Sequence, residues 1–144
     1  MNFIRKNLGK IIFFLYMVIV LRITVFRSGF SLESLFQNGQ INLKLFEEYV
    51  PIIQDGRWFT FLYLFVGNII WFVPFGMYLE YGKKVKNAVW ILLAGLGFSL
   101  AIEVMQYVFG TGFSELDDLI LNIVGVGIGI VCVRAWKRIV RNTR

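Results

Sequence analysis

A glutamate two turns inside an apolar stretch is the first residue in this chain that calls for a chemical explanation. Glu103 has Ser99 four residues before it and Gln106 three after it, a spacing that puts all three on one face of a helix. A second polar set, Asp117, Asp118 and Asn122, opens the next apolar stretch. Gly125 and Gly129 extend the Asp118–Asn122 stripe, and a small-x-x-x-small step of this kind lets a neighbouring helix approach closely. Asn68 and Arg22 stand inside two earlier apolar stretches. A charge at mid-bilayer costs roughly 2.5–3.5 kcal/mol on insertion scales, so such residues are candidates for function. Glu103 and Asp118 in an apolar site could hold their proton affinities apart and act as acid and base. Alternatively, Glu103, Gln106, Asp118 and Asn122 offer an all-oxygen set suited to a divalent cation such as Mg²⁺, Mn²⁺ or Ca²⁺. The chain has no histidine and one cysteine, which excludes histidine proton shuttling, histidine-ligated zinc and disulfides. Cys132 reads as a small apolar filler. Ser99 and Ser114 have no histidine to activate them.

The elements that carry these residues follow from composition. Of 144 residues, 58% are hydrophobic and 17% charged, and mean hydropathy is +0.69. That is too little charge for a water-covered domain and too much apolar content for disorder. Four apolar runs, about 11–30, 58–81, 87–109 and 115–136, are each long enough to cross a hydrocarbon core of about 30 Å. The expected fold is an all-α, polytopic four-helix membrane bundle, a single domain over 1–144. The first run follows Arg5, Lys6 and Lys10 like a signal peptide, yet has no small-residue cleavage site and reads as an uncleaved span.

Lys and Arg in short flanks set the orientation. Arg5, Lys6 and Lys10, then Lys83, Lys84 and Lys86, then Arg134, Lys137, Arg138, Arg141 and Arg144 alternate with mixed flanks holding Arg27, Lys44, Arg57, Glu33, Glu47, Glu48 and Asp55. Both termini are therefore expected in the cytoplasm. The net charge of +6 is read as this orientation signal and not as a nucleic-acid footprint. Trp58, Tyr81, Trp90, Tyr107 and Trp136 fall where interface anchors belong.

Counted at about 1.5 Å per residue from the outer end of each span, Arg22 lies about 12 Å deep, Asn68 about 15, Glu103 about 9, Gln106 about 5, Asp118 about 5 and Asn122 about 10. All fall in the outer half. The expectation is one polar cavity open to the outer face and floored by Asn68, with Arg22 as counter-ion to Glu103, Asp117 and Asp118. The other reading of Arg22 is snorkelling to lipid phosphates, and Asp117 also suits the start of a helix. Three carboxylates against one guanidinium leave two surplus negative charges, which a proton, a divalent cation or a cationic ligand would offset. Pro74 removes the amide that would bond the Ile70 carbonyl and should open a turn toward the cavity. In the outer loop 31–57, the segment 41–50 is amphipathic. It is expected either as a short helix on the outer leaflet or as a cap over the bundle.

Three segments together resemble the VanZ-like family of small bacterial membrane proteins. Asn68, Phe72, Pro74 and Gly76 fit its N-x-x-x-F-x-P-x-G pattern. Ser99, Glu103 and Gln106 fit S-x-x-x-E-x-x-Q, and Asp117, Asp118, Asn122 and Gly125 fit D-D-x-x-x-N-x-x-G. The order is the family's, and the resemblance covers 58–133. The family often carries an arginine shortly before the acidic pair, whereas 110–115 holds none and Glu115 stands where an aspartate is common. The resemblance implies low-level resistance to teicoplanin and related lipoglycopeptides at the outer face of a bacterial cell membrane.

Three mechanisms compete. The first is binding or modification of an amphiphile at the outer leaflet, with a membrane lipid, a lipid-linked cell-wall precursor or a lipoglycopeptide tail as partner. It uses Arg22, Asn68, Ser99, Gln106, Asp117 and Asn122 for contact. The second is a membrane enzyme acting on a headgroup or glycan through Glu103 and Asp118. The third is a transporter or a structural partner of a membrane complex, against which the apolar inner half of the bundle argues.

Overall fold

A computed structural model of the chain describes residues 2–26, 35–36, 39–82 and 87–143. Arg27, Glu33, Lys83, Lys84, Lys86, Arg144 and the side chains of Arg5 and Lys6, all used above as orientation signals, lie outside the described residues. Four helices are long and apolar enough to cross a membrane. They are α1 (Asn2–Thr24), α3 (Trp58–Tyr81), α4 (Ala88–Phe109) and α5 (Leu116–Asn142), with a short α2 (Tyr49–Gln54) between the first two. Two three-residue strands, β1 (Gln40–Asn42) and β2 (Phe113–Glu115), complete the fold.

Local chemistry sets the helix ends. The Asn87 side chain accepts the Val89 amide and starts α4, and Gly110 in the left-handed region closes it, its amide turned back on Gln106 and Tyr107. Asp117 and Asp118 stand in the first turn of α5, where the helix dipole favours anions. The centre of the bundle is the α3–α5 pair. A β-carbon at Gly76 would meet the Val126 carbonyl, one at Gly125 the Ile69 carbonyl, and one at Gly129 the Val73 carbonyl. The two backbones touch because these positions carry no side chain, as the Gly125/Gly129 spacing predicts. Phe72, Phe75, Ile91, Ile102, Val126 and Ile130 fill the remaining interior, joined by Val20 and Val25. Large apolar side chains such as Ile12, Phe14, Val104 and Val131 stay on the outside, the arrangement lipid favours.

Three expectations are corrected. First, α1 ends at Thr24, not at 30, where the described chain turns at Val25 and Phe26. Second, α3 runs through Pro74 without interruption. The Tyr16 hydroxyl of α1 donates to the Trp71 carbonyl, next in sequence to the Ile70 carbonyl whose amide partner Pro74 removes. Third, the fold is not purely helical. β1 pairs in parallel with β2, Gln40 beside Phe113 and Asn42 beside Glu115, because two extended segments crossing one end of the bundle must pair their amides.

The segment 41–50 accordingly forms no continuous helix. The Asn42 side chain accepts the Lys44 amide, a local bond that competes with helix formation, and α2 begins only at Tyr49. Tyr49 and Ile52 are buried, and the Tyr49 ring meets Phe61 and Phe65 of α3 edge-on. Residues 39–57 thus form a cap packed on one end of the bundle. At the opposite end Arg134 holds Glu80 through two bonds of 3.1 and 3.3 Å, and Lys137 donates to the Glu80 carbonyl. This basic end locks α5 to α3.

Candidate functional site

The polar side chains divide between two places. One is a cavity of about 270 Å³ beneath the cap. α3 contributes Asn68 and Trp71, α4 contributes Gln106, α5 contributes Asp118, and the last turn of α1 contributes Ile23 and Thr24. The cap and β2 close it with Glu48, Tyr49, Phe113 and Glu115. Asn68 donates its amide to Asp118 across the α3–α5 contact. Gln106 donates to the Thr24 carbonyl at 3.3 Å and so draws the loosely packed α1 to α4.

The second place is the seam between α4 and α5, behind the cavity wall. Asn122 donates to Ser99 Oγ at 2.8 Å. Glu103, only 2% exposed, accepts the Glu115 amide at 2.8 Å and a hydrogen bond from Ser114. Asp117 accepts the Phe46 amide at 2.8 Å from the cap. These two carboxylates therefore act as clips: Glu103 fixes β2 as it enters α5, and Asp117 fixes the turn ahead of α2. Asp117 stands in the first turn of its helix, and its oxygen also accepts a backbone amide 71 residues away. Among the described residues, Gln106 Oε1, Asp117 Oδ1 and Asn122 Oδ1 are buried with no hydrogen-bond partner.

The single basin expected from depth counting is thus only partly assembled. It brings Asn68, Gln106 and Asp118 to one cavity, and leaves Ser99, Glu103, Asp117 and Asn122 behind it. The face each helix turns to its neighbour separates the two sets. Arg22 joins neither set. It is exposed in the last turn of α1, and its guanidinium bonds the Phe26 carbonyl of its own chain. Because the helix stops at Thr24, Arg22 sits roughly 3 Å from its end instead of about 12, where a cation complements unpaired carbonyls. The four oxygen donors proposed for a cation are likewise held apart by separate bonds. Among the described residues no group of three His, Cys, Asp or Glu side chains is set to hold a metal.

Glu48 and Glu115 are functional candidates that spacing did not single out. Glu115 lies on the cavity wall, and its carboxyl is pushed up to about 8. Burial is the first cause, followed by its hydrogen bond to Glu48 and the charges of Asp118, Glu48 and Asp117. Burial and the same carboxylates raise the Tyr49 phenol. Among the described residues, every ionisable group lining this wall is a carboxyl or a phenol.

A four-span membrane protein with a capped, acidic pocket at one end is the class that this fold and site define. The chain matches the VanZ/LLP1 family over residues 13–138, most of its length, and belongs to that family. It is similar to Protein VanZ of Enterococcus faecium, at 27% identity over 125 residues, covering 87% of this chain and 73% of the relative. No solved structure matches.

Proposed function

We propose that this chain is a VanZ-like resistance protein of a bacterial cell membrane. It binds the polar head of an amphiphile in the pocket beneath the cap and thereby lowers susceptibility to teicoplanin-type lipoglycopeptides. The observation that carries this reading is the meeting of Asn68, Gln106 and Asp118, one from each family motif and each from a different helix, at one cavity. The capped end faces outward in this reading, since Lys10, Arg134, Lys137, Arg138 and Arg141 gather toward the other end. A volume of about 270 Å³ is just below the usual range for whole drug-sized ligands, so the site takes a headgroup while the rest of the molecule stays in the membrane or in water. Membrane lipids, a lipid-linked cell-wall precursor and a lipoglycopeptide tail are the candidate partners.

Binding fits the site better than chemistry. Glu103 is engaged by a backbone amide, and among the described residues no serine or cysteine lines the cavity. Transport is disfavoured because α5 offers only apolar residues, glycine and Cys132 between Asn122 and Arg134. The test is expression of the full chain and of Asp118→Asn and Asn68→Ala in a teicoplanin-susceptible bacterium, beside titration of the purified protein with lipid-linked precursor and with teicoplanin. Reduced susceptibility from the parent, lost in both variants at equal membrane abundance, together with saturable binding, is expected. Unchanged susceptibility and no binding by folded protein overturn the reading.

A further inference from the structure

The end of the bundle opposite the cap carries a cavity of its own, a groove of about 570 Å³ along one side of α5. Val131 and Ala135 form its apolar part, and Arg134, Lys137, Arg138 and Arg141 its basic part. Successive steps of three and four residues place these side chains one above the next. Among the described residues no carboxylate lines the groove. Arg134 is paired with Glu80 on α3, and Lys137 donates to the Glu80 carbonyl and stands over the Tyr81 ring. Arg138 and Arg141 are exposed and enter none of the ion pairs formed among the described residues. One carboxylate, that of Glu80, thus meets four cations, and the two guanidinium forks it does not reach are those best suited to bidentate phosphate contacts.

Depth along the helix says what kind of anion fits. Counted from Leu116 at about 1.5 Å per residue, Val131 lies about 22 Å along α5, Ala135 about 28, Arg138 about 33 and Arg141 about 38. A hydrocarbon core is about 30 Å thick, so the apolar pair stands among acyl chains and the two arginines stand at the level of lipid phosphates. We propose that this groove binds an anionic glycerophospholipid, its phosphate held by Arg138 and Arg141 and an acyl chain laid over Val131 and Ala135. A soluble phosphate would leave the apolar half of the groove without a partner. A second copy of the chain, related by a two-fold axis through the groove, would set these arginines against like charges. The site is separate from the capped pocket and does not depend on the function proposed for it.

The test titrates the full chain in non-ionic detergent with phosphatidylglycerol and with phosphatidylcholine of the same acyl chains, bound lipid being counted by native mass spectrometry. Both lipids carry the phosphate, but only the first carries net charge. Phosphatidylglycerol is expected to bind at least about tenfold more tightly. Arg138→Gln combined with Arg141→Gln should remove most of that preference. Lys44→Gln combined with Arg57→Gln takes the same two charges from the cap, where they pair with Glu47 and Asp55, and should leave the preference intact. Circular dichroism and gel filtration confirm that the variants are folded; Arg141→Gln alone, in the last turn of α5, should remove part of the preference and serves if the double variant does not fold. Glycerophosphoglycerol, the same headgroup without chains, should not displace the lipid. Equal binding of the two lipids, a preference untouched by the α5 variants, or a preference lost equally in the cap variant overturns the proposal. Displacement by the chain-free headgroup overturns it in favour of a soluble phosphate diester, and a lipid-free dimer that the α5 variants dissociate overturns it in favour of a second copy.

Discussion

Glu103 and Asp118 stand in neighbouring helices, and their carboxyls do different work. Glu103 takes the Glu115 amide, and Asp118 lies on the cavity wall against Asn68. The clip role makes a prediction that acid–base catalysis does not. Glu103→Gln keeps an acceptor oxygen for that amide and should melt near the parent. Glu103→Ala leaves the amide unmet and should lose about 1–3 kcal/mol, read by thermal unfolding in detergent. An equal loss in both variants would assign the effect to the charge instead. Glu115 makes a second prediction. Its folded value of about 8 lies above the 4.5 of a free glutamate, so the folded state holds this proton more tightly than the unfolded one. Its contribution is fully present at low pH and is lost as pH rises through about 8. The melting temperature of the ligand-free protein should fall between about pH 4.5 and about pH 8 and level off above that, and Glu115→Gln should flatten that slope. Sequence made Glu103, Asp118 and Asn68 visible because lipid tolerates such side chains poorly. It did not make Glu115 visible, because an acid beside a loop glycine pattern looks solvated until a cap from residues 39–57 is laid over it.

Elements were read best where periodicity and a close approach coincide. The α3–α5 seam was legible in Gly125 and Gly129, and the structure adds Gly76 from the opposite helix. Gly125→Ala would drive a methyl group into the Ile69 carbonyl, a backbone atom that cannot rotate away, and should cost about 1–3 kcal/mol as overpacking. Gly127, two residues on, has nothing within 4 Å of an added β-carbon. Gly127→Ala should therefore be neutral or slightly stabilising through helix propensity. Thermal melting of the two single variants checks the contrast, and comparable melting would mean that the helices are not in backbone contact. The cap was less legible for a physical reason. Its amphipathic stretch meets the bundle through one strand pair and the Asp117–Phe46 bond, and each depends on a partner distant in sequence. The end of α1 was misplaced on similar grounds. Apolar residues continue past Thr24, so hydropathy alone ran the helix on to 30.

At the scale of the whole molecule, charge and shape divide the bundle into unlike ends. One carries the cap, the cavity and the carboxyls of Glu48, Glu115 and Asp118. The other carries Arg134, Lys137, Arg138 and Arg141 along the last turns of α5, with Arg134 and Lys137 fastened to Glu80. Basic residues in short flanks favour the cytoplasmic side, and the proposed outward-facing cavity rests on this asymmetry. A cell-wall or antibiotic ligand reaches it only if the cap is external. Replacing the native Cys132 with Ala and placing single cysteines at Gln54 on the cap or at Arg141 near the end of α5 separates the alternatives. Both positions are exposed, and a membrane-impermeant maleimide added to intact cells reports which one faces out. Labelling at Gln54, with Arg141 labelled only after the membrane is permeabilised, is the expected result. The reverse pattern would place the carboxylate cavity in the cytoplasm, where no external glycopeptide could meet it, and resistance through this pocket would then have to be abandoned whatever the binding data showed.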